Sequence, residues 1–116
     1  MIVLPEIENS DSPILMLNIV RFKDRRLYFE EYIPAFKIVI EKLGITGAKL
    51  SLVSDVLANI VADDSENWDA IILVEYPSVK AFKTMAESKE YEDLAAPLRV
   101  AALQELKLYM TRKIEL

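Results

Sequence analysis

"WDAIILVEYPSVKAF", residues 68–82, decides how the chain is read. Between Trp68 and Tyr76 apolar side chains occupy both parities: Trp68, Ala70, Ile72, Val74 and Tyr76 on one, Ile71 and Leu73 with Asp69 and Glu75 on the other. Apolar residues on both sides of an alternating run predict a strand covered on both faces. Tyr-Pro-Ser then stops it, because Pro77 brings no N–H to a ladder and Ser78 is a helix N-cap for "VKAFKTMAES" (79–88), with Ala81, Phe82 and Met85 turned inward. The glutamate inside this apolar run has two readings. Glu75 is either a strand-end carboxylate that reaches water or pairs with Arg21 or a lysine, or a carboxylate in an apolar interior, where its raised pKa would suit a base.

Upstream, residues 1–13 carry Pro5, Asn9, Ser10, Asp11, Ser12 and Pro13 without a period and are expected to be a flexible leader, with one domain over 14–116. "ILMLNIVRF" (14–22) is a second strand apolar on both parities, with Asn18 in mid-strand beside Met16 and Val20. Asp24 is a plausible cap for a helix to Gly44 whose apolar stripe includes Tyr28, Tyr32, Phe36, Val39, Ile40 and Leu43. Pro34 lies inside that stripe, so the carbonyl of Glu30 loses its partner and the helix is expected to kink or restart. "GAKLSLVSDVLANIVA" (47–62) reads as a long strand interrupted at Ser54 and Asp55, and "DDSEN" (63–67) as the turn of a hairpin. After the helix from Ser78, Ser88 caps "KEYEDLAA", Pro97 opens a last helical stretch through "LRVAALQE", and "LKLYMTRKI" (106–114) alternates as a strand. The order is β-α-β-β-α-β, an α+β arrangement with a four-stranded antiparallel sheet and the split pattern of the ferredoxin-like fold.

Composition narrows the chemistry. Cysteine and histidine are both absent, which removes thiolate nucleophiles, disulfides, imidazole metal sites and the Ser-His-Asp triad. Neither a metal nor another cofactor is therefore expected. The net charge of −5 disfavours a nucleic-acid partner, since the densest basic stretch, "RFKDRR" (21–26), contains an acid and is followed by Glu30 and Glu31. No apolar run reaches the ~20 residues of a membrane span and the acidic amino terminus has no signal-peptide pattern, so a cytoplasmic protein with no membrane partner is expected. At 53% hydrophobic residues in 116, the chain holds more apolar surface than one small core needs. Helices cover only one face of such a sheet, and leaving the other wet would forgo ~25 cal/mol for each Å². A homodimer closing through the open sheet face is expected, its two sheets forming a barrel with an interior that can hold a ligand.

"LVEYPSVKAF" followed by "SKEY", with "YFEEYIPAF" in the first helix, resembles the bacterial family called domain of unknown function 1330, within the dimeric α/β-barrel superfamily. The resemblance spans nearly all of the chain after residue 13. It implies the dimeric barrel, and it leaves the chemistry open, because that superfamily also includes cofactor-free monooxygenases, haem-degrading enzymes and lactone isomerases. Where the family often has Pro-His-Arg, this chain has "PLR" (97–99): Arg99 matches, and Leu98 replaces the imidazole.

The ligand-binding candidates are Asn18, Tyr28, Tyr32, Glu75 and Arg99, with Glu75 and Arg99 the candidate catalytic pair. Asn18 must find partners if buried, from a ligand or across the dimer. Tyr28 and Tyr32, one turn apart, bring hydroxyls to a pocket mouth or simply pack. Arg99 suits a carboxylate or enolate oxygen, or an ion pair with Glu75, Glu90 or Asp93. Two functions remain: a binder of a small apolar or aromatic metabolite in the barrel interior, or a cofactor-independent monooxygenase or isomerase acting on a phenolic, quinol or lactone-type substrate.

Overall fold

The chain was analysed as a computed structural model that describes residues 3–116. Four strands, β1 (Ile14–Phe22), β2 (Lys49–Asp55), β3 (Ala70–Tyr76) and β4 (Leu103–Thr111), form one antiparallel sheet in the order β2-β3-β1-β4. Central β1 pairs with both neighbours at once, so that Asn18 stands opposite Ile72 on one side and Leu108 on the other. Register assigns the faces. Ile14, Met16, Val20, Ala70, Ile72, Val74 and Tyr76 share one face and are buried, while Leu15, Leu17, Ile19, Ile71, Leu73 and Glu75 share the other and are only half-buried.

The buried face is covered by helices. The first runs as α1 (Arg25–Leu27), a π-helical turn (Tyr28–Tyr32) and α2 (Ile33–Lys42). Asp24 caps it, its Oδ1 accepting from the Leu27 N–H at 3.0 Å. Pro34 does not break the helix as a kink or restart would. The turn before it widens so that the Ile33 N–H reaches the Tyr28 carbonyl, a longer loop that accommodates the missing proline donor. The second helical layer is α3 (Val79–Ala86), α4 (Lys89–Leu94) and α5 (Ala96–Ala102), with Ser78 and Ser88 accepting from the Ala81 and Tyr91 N–H groups, both at 3.0 Å. Gly44, at φ 67°, closes α2 in the left-handed conformation.

Three sequence boundaries shift. The second strand ends at Asp55 rather than Ala62, and its irregularity falls between Leu50 and Leu52, so Leu50 faces the helices and Leu52 the uncovered side. Val56 and Asp69 still hydrogen-bond to each other at the end of the sheet, and residues 57–68 leave it, exposing Leu57, Ile60 and Val61. Trp68 therefore precedes β3 and departs from its expected parity: its ring lies between Arg21 and Lys107, at 5.0 and 5.2 Å, on the uncovered side. The last strand begins at Leu103, because pairing of Leu103 with Phe22 and Glu105 with Arg21 draws these residues out of the helix. The stretch 3–13 crosses α3, with Leu4 and Ile7 packed on the core and Lys83 donating to the Ile7 carbonyl at 2.9 Å and to Asn9 Oδ1 at 3.2 Å.

Ile72 is 1% exposed at the centre of the helix-covered face. Ile72→Ala should lower the unfolding free energy by about 2–5 kcal/mol in urea denaturation, against less than about 0.5 for Ile38→Ala on the exposed flank of α2.

Candidate functional site

Where the first helix passes over β1 and β3, aromatic side chains build a layered wall. Tyr28 stacks on Tyr32 with centroids 5.1 Å apart, and Tyr32 stacks on Phe36 at 6.5 Å. Tyr91, placed inward by the Ser88 cap three residues earlier, meets Tyr32 edge-on, and their hydroxyls hydrogen-bond at 2.8 Å. Arg99 from α5 lies over the Tyr91 ring, 5.8 Å from its centroid. On the sheet floor, Asn18 Nδ2 donates to the Met16 and Ile72 carbonyls, each at 3.2 Å, which fixes the amide and turns Oδ1 away from those carbonyls.

These groups surround a cavity of about 40 Å³ between sheet and helices, room for one or two waters. Asn18, Tyr28, Tyr32, Tyr91 and Arg99 line it together with apolar residues including Ile72, Phe82 and Leu108. A wider groove of about 610 Å³, within the size range of metabolite sites, shares Met16, Phe82, Arg99, Leu106 and Leu108 with it. Val3, Leu4, Pro5 and Ile7 form one wall of that groove. Arg99 also borders a third opening beside α4 and α5, so it stands where the three spaces meet.

Four of the five sequence candidates are thus brought together, and Glu75 is not among them. Glu75 pairs across the sheet with Leu15, so it points to the uncovered face, where Lys49 Nζ approaches its carboxylate at 3.7 Å. Arg21, its other anticipated partner, holds Glu105 at 3.1 Å. Arg99 makes none of the ion pairs open to it: Asp93 is held by Lys89 at 3.1 Å and Glu75 by Lys49, and no carboxylate among the described residues bridges to Arg99. Tyr91 was legible only as a packing residue. Its position three residues after a capping serine, in the same SKEY segment that carries the family resemblance, was the available signal.

Among the described residues no carboxylate lines the small cavity, and its tyrosines are poor acids. Burial pushes the hydroxyls of Tyr28, Tyr32 and Tyr76 well above the ordinary tyrosine range, and the neighbouring Tyr91 adds to the effect. For Tyr91 burial also wins, with Arg99 and the Tyr32 hydroxyl working against it. The site therefore offers neutral hydroxyl donors, an amide oxygen and one guanidinium.

No family model matches the chain, and no curated protein matches it. Solved structures do. A Rhodopseudomonas palustris protein of unknown function aligns at 26% identity and TM-score 0.78 over 92% of this chain and 86% of its own. A Mesorhizobium loti Dabb-family protein with a ferredoxin-like fold aligns at 10% identity and TM-score 0.57, covering 89% and 98%. The fold is ferredoxin-like. A Bacteroides fragilis protein of unknown function, described as dimeric and ferredoxin-like, aligns at 13% identity and TM-score 0.51 over 87% and 96%. No helix among the described residues is long and apolar enough to cross a membrane.

A tyrosine whose pKa is raised by folding keeps its proton when the unfolded chain has released its own, so the stability it lends is complete below about pH 10 and is lost as pH rises beyond. Ultraviolet titration should accordingly find Tyr28, Tyr32, Tyr76 and Tyr91 un-ionised until the protein unfolds at alkaline pH, with chemical stability falling from about pH 10 upward.

Proposed function

We propose that the protein binds a small apolar or aromatic metabolite between sheet and helices of each subunit, rather than in the barrel interior expected from the sequence, and that two subunits close sheet against sheet. The observation that carries the binding reading is the convergence of Asn18, Tyr28, Tyr32 and Arg99 on one apolar cavity that shares a wall with a metabolite-sized groove. Polar groups few in number and fixed by their own hydrogen bonds are what orient a ligand in an apolar site. Membership of the domain of unknown function 1330 family is part of the same reading, with Tyr32 and Arg99 lying in the segments that carry the resemblance.

A cofactor-independent monooxygenase or isomerase acting on a phenolic, quinol or lactone-type substrate is a second reading, supported by the Tyr32–Tyr91 hydroxyl pair as a proton route beside Arg99. Binding is the stronger of the two. A general base with a pKa near neutrality is the element proton abstraction needs, and among the described residues the small cavity is lined by no carboxylate or imidazole to serve as one.

Calorimetry and thermal shift against a panel of small aromatic compounds should find a ligand that raises the melting temperature. Leu108→Trp, which fills the shared wall, should abolish that shift, while Glu75→Gln on the opposite face should leave it intact. Loss of binding in Glu75→Gln with the fold preserved would move the site to the uncovered face.

The dimer reading rests on that face, where Leu15, Leu17, Ile19, Ile71 and Leu73 form an apolar surface that no helix covers, with Leu52 and Tyr109 about half exposed at its flanks. Analytical ultracentrifugation at micromolar concentration should give twice the subunit mass, and Leu73→Asp should give a folded monomer. A folded wild-type monomer would sink the sheet-to-sheet assembly.

A further inference from the structure

Two groups at the cavity have chemical demands that the protein leaves unmet. Arg99 is one. In a chain with 19 acidic against 14 basic residues, Arg21, Arg25 and Arg26 each hold a carboxylate, whereas Arg99 and Arg112 hold none among the described residues, and of these two only Arg99 lines the cavity, over an aromatic face. Lys23 is a second cation on the groove wall, its ammonium only 3.5 Å from the Val100 carbonyl, and the wall's single carboxylate, Glu105, is already committed to Arg21. The groove is thus locally cationic in an anionic protein, which favours a negatively charged guest and a guanidinium-to-oxyanion hydrogen bond stronger than a neutral one.

Asn18 is the other. Its Nδ2 is spent on two main-chain carbonyls, and no described hydrogen bond reaches its Oδ1, so this cavity-lining residue keeps an acceptor free. No tyrosine hydroxyl among the described residues bonds it: Tyr32 and Tyr91 bond each other, and no hydrogen bond from Tyr28 reaches the amide.

Building on the metabolite-binding reading above, we infer that the ligand is a hydroxyl-bearing carboxylic acid whose apolar or aromatic body lies in the wider groove, its carboxylate on Arg99 and its hydroxyl alone entering the small cavity to donate to Asn18 Oδ1. A ligand lacking the anion leaves the guanidinium unpaired against the groove. One lacking the hydroxyl leaves the amide oxygen desolvated without a partner, and each omission has its own energetic cost.

The three hydroxybenzoate isomers, benzoate and the corresponding hydroxybenzamides test this by isothermal calorimetry on the full chain. At least one hydroxybenzoate should bind about 10- to 100-fold more tightly than its neutral amide, and measurably more tightly than benzoate. Arg99→Gln should erase the acid-over-amide gap and retain the amide, and Asn18→Leu should erase the hydroxyl gap. If Asn18→Leu does not fold, the comparison of hydroxybenzoate with benzoate on the wild-type protein decides the hydroxyl contact by itself. Equal binding of acids and amides, blocked for both by Leu108→Trp, overturns the ligand class and leaves the cavity reading standing. Failure of every hydroxybenzoate while another aromatic compound binds does the same, and failure of all aromatic compounds overturns both.

Discussion

Placement of β1 between β3 and β4 is the constraint on which the rest of the structure depends. Pairing Asn18 with Ile72 on one edge and Leu108 on the other leaves β1 no free edge and locks the parity of three strands together. A slip of one residue would exchange the two faces of β1 and carry Asn18 from the helix side to the uncovered side. Once register is set, the buried set Met16, Val20, Ile72 and Val74 has one possible cover, the helical layer, and the opposite set has none within the subunit.

The site follows from that division together with two local devices. The π-helical turn before Pro34 presents Tyr28 and Tyr32 inward on consecutive turns, and the Ser88 cap aims Tyr91 at them. Each device satisfies backbone groups that would otherwise be left without partners, and each places an aromatic ring as a consequence. The hydroxyl pair so formed contributes about 1 kcal/mol on its own and ties the first helix to α4. Arg99, without a carboxylate among the described residues, and the Asn18 amide oxygen are why the cavity reads as a recognition site for a polar, anionic end rather than as an acid–base centre.

Much of this was legible in the chain order. Ser78, Ser88 and Asp24 cap where their residue type and the following apolar pattern predicted, and the alternation of 68–76 and 14–22 foretold central strands. What failed did so for long-range reasons. The stretch 57–62 has strand-like composition, yet it pairs with no strand and leaves the sheet, and Leu103–Glu105 abandons helical propensity for pairing with β1. Trp68 changed face because the strand begins two residues after it.

The sequence by itself determined the element order, the caps, the absence of thiol and imidazole chemistry, and the two apolar parities of the central strands, because all of these are properties of composition and local spacing. It also contained the polar residues that matter, Asn18, Glu75 and Arg99 among them, without distinguishing between them. Only the tertiary structure decided that Asn18 faces the helices and Glu75 the opposite side, and that Arg99 reaches the cavity with no carboxylate among the described residues beside it. Alternation divides a strand into two faces but carries no sign. The sign comes from which face the helices bury, and ion pairing in so charged a chain depends on which side chains the fold brings within reach.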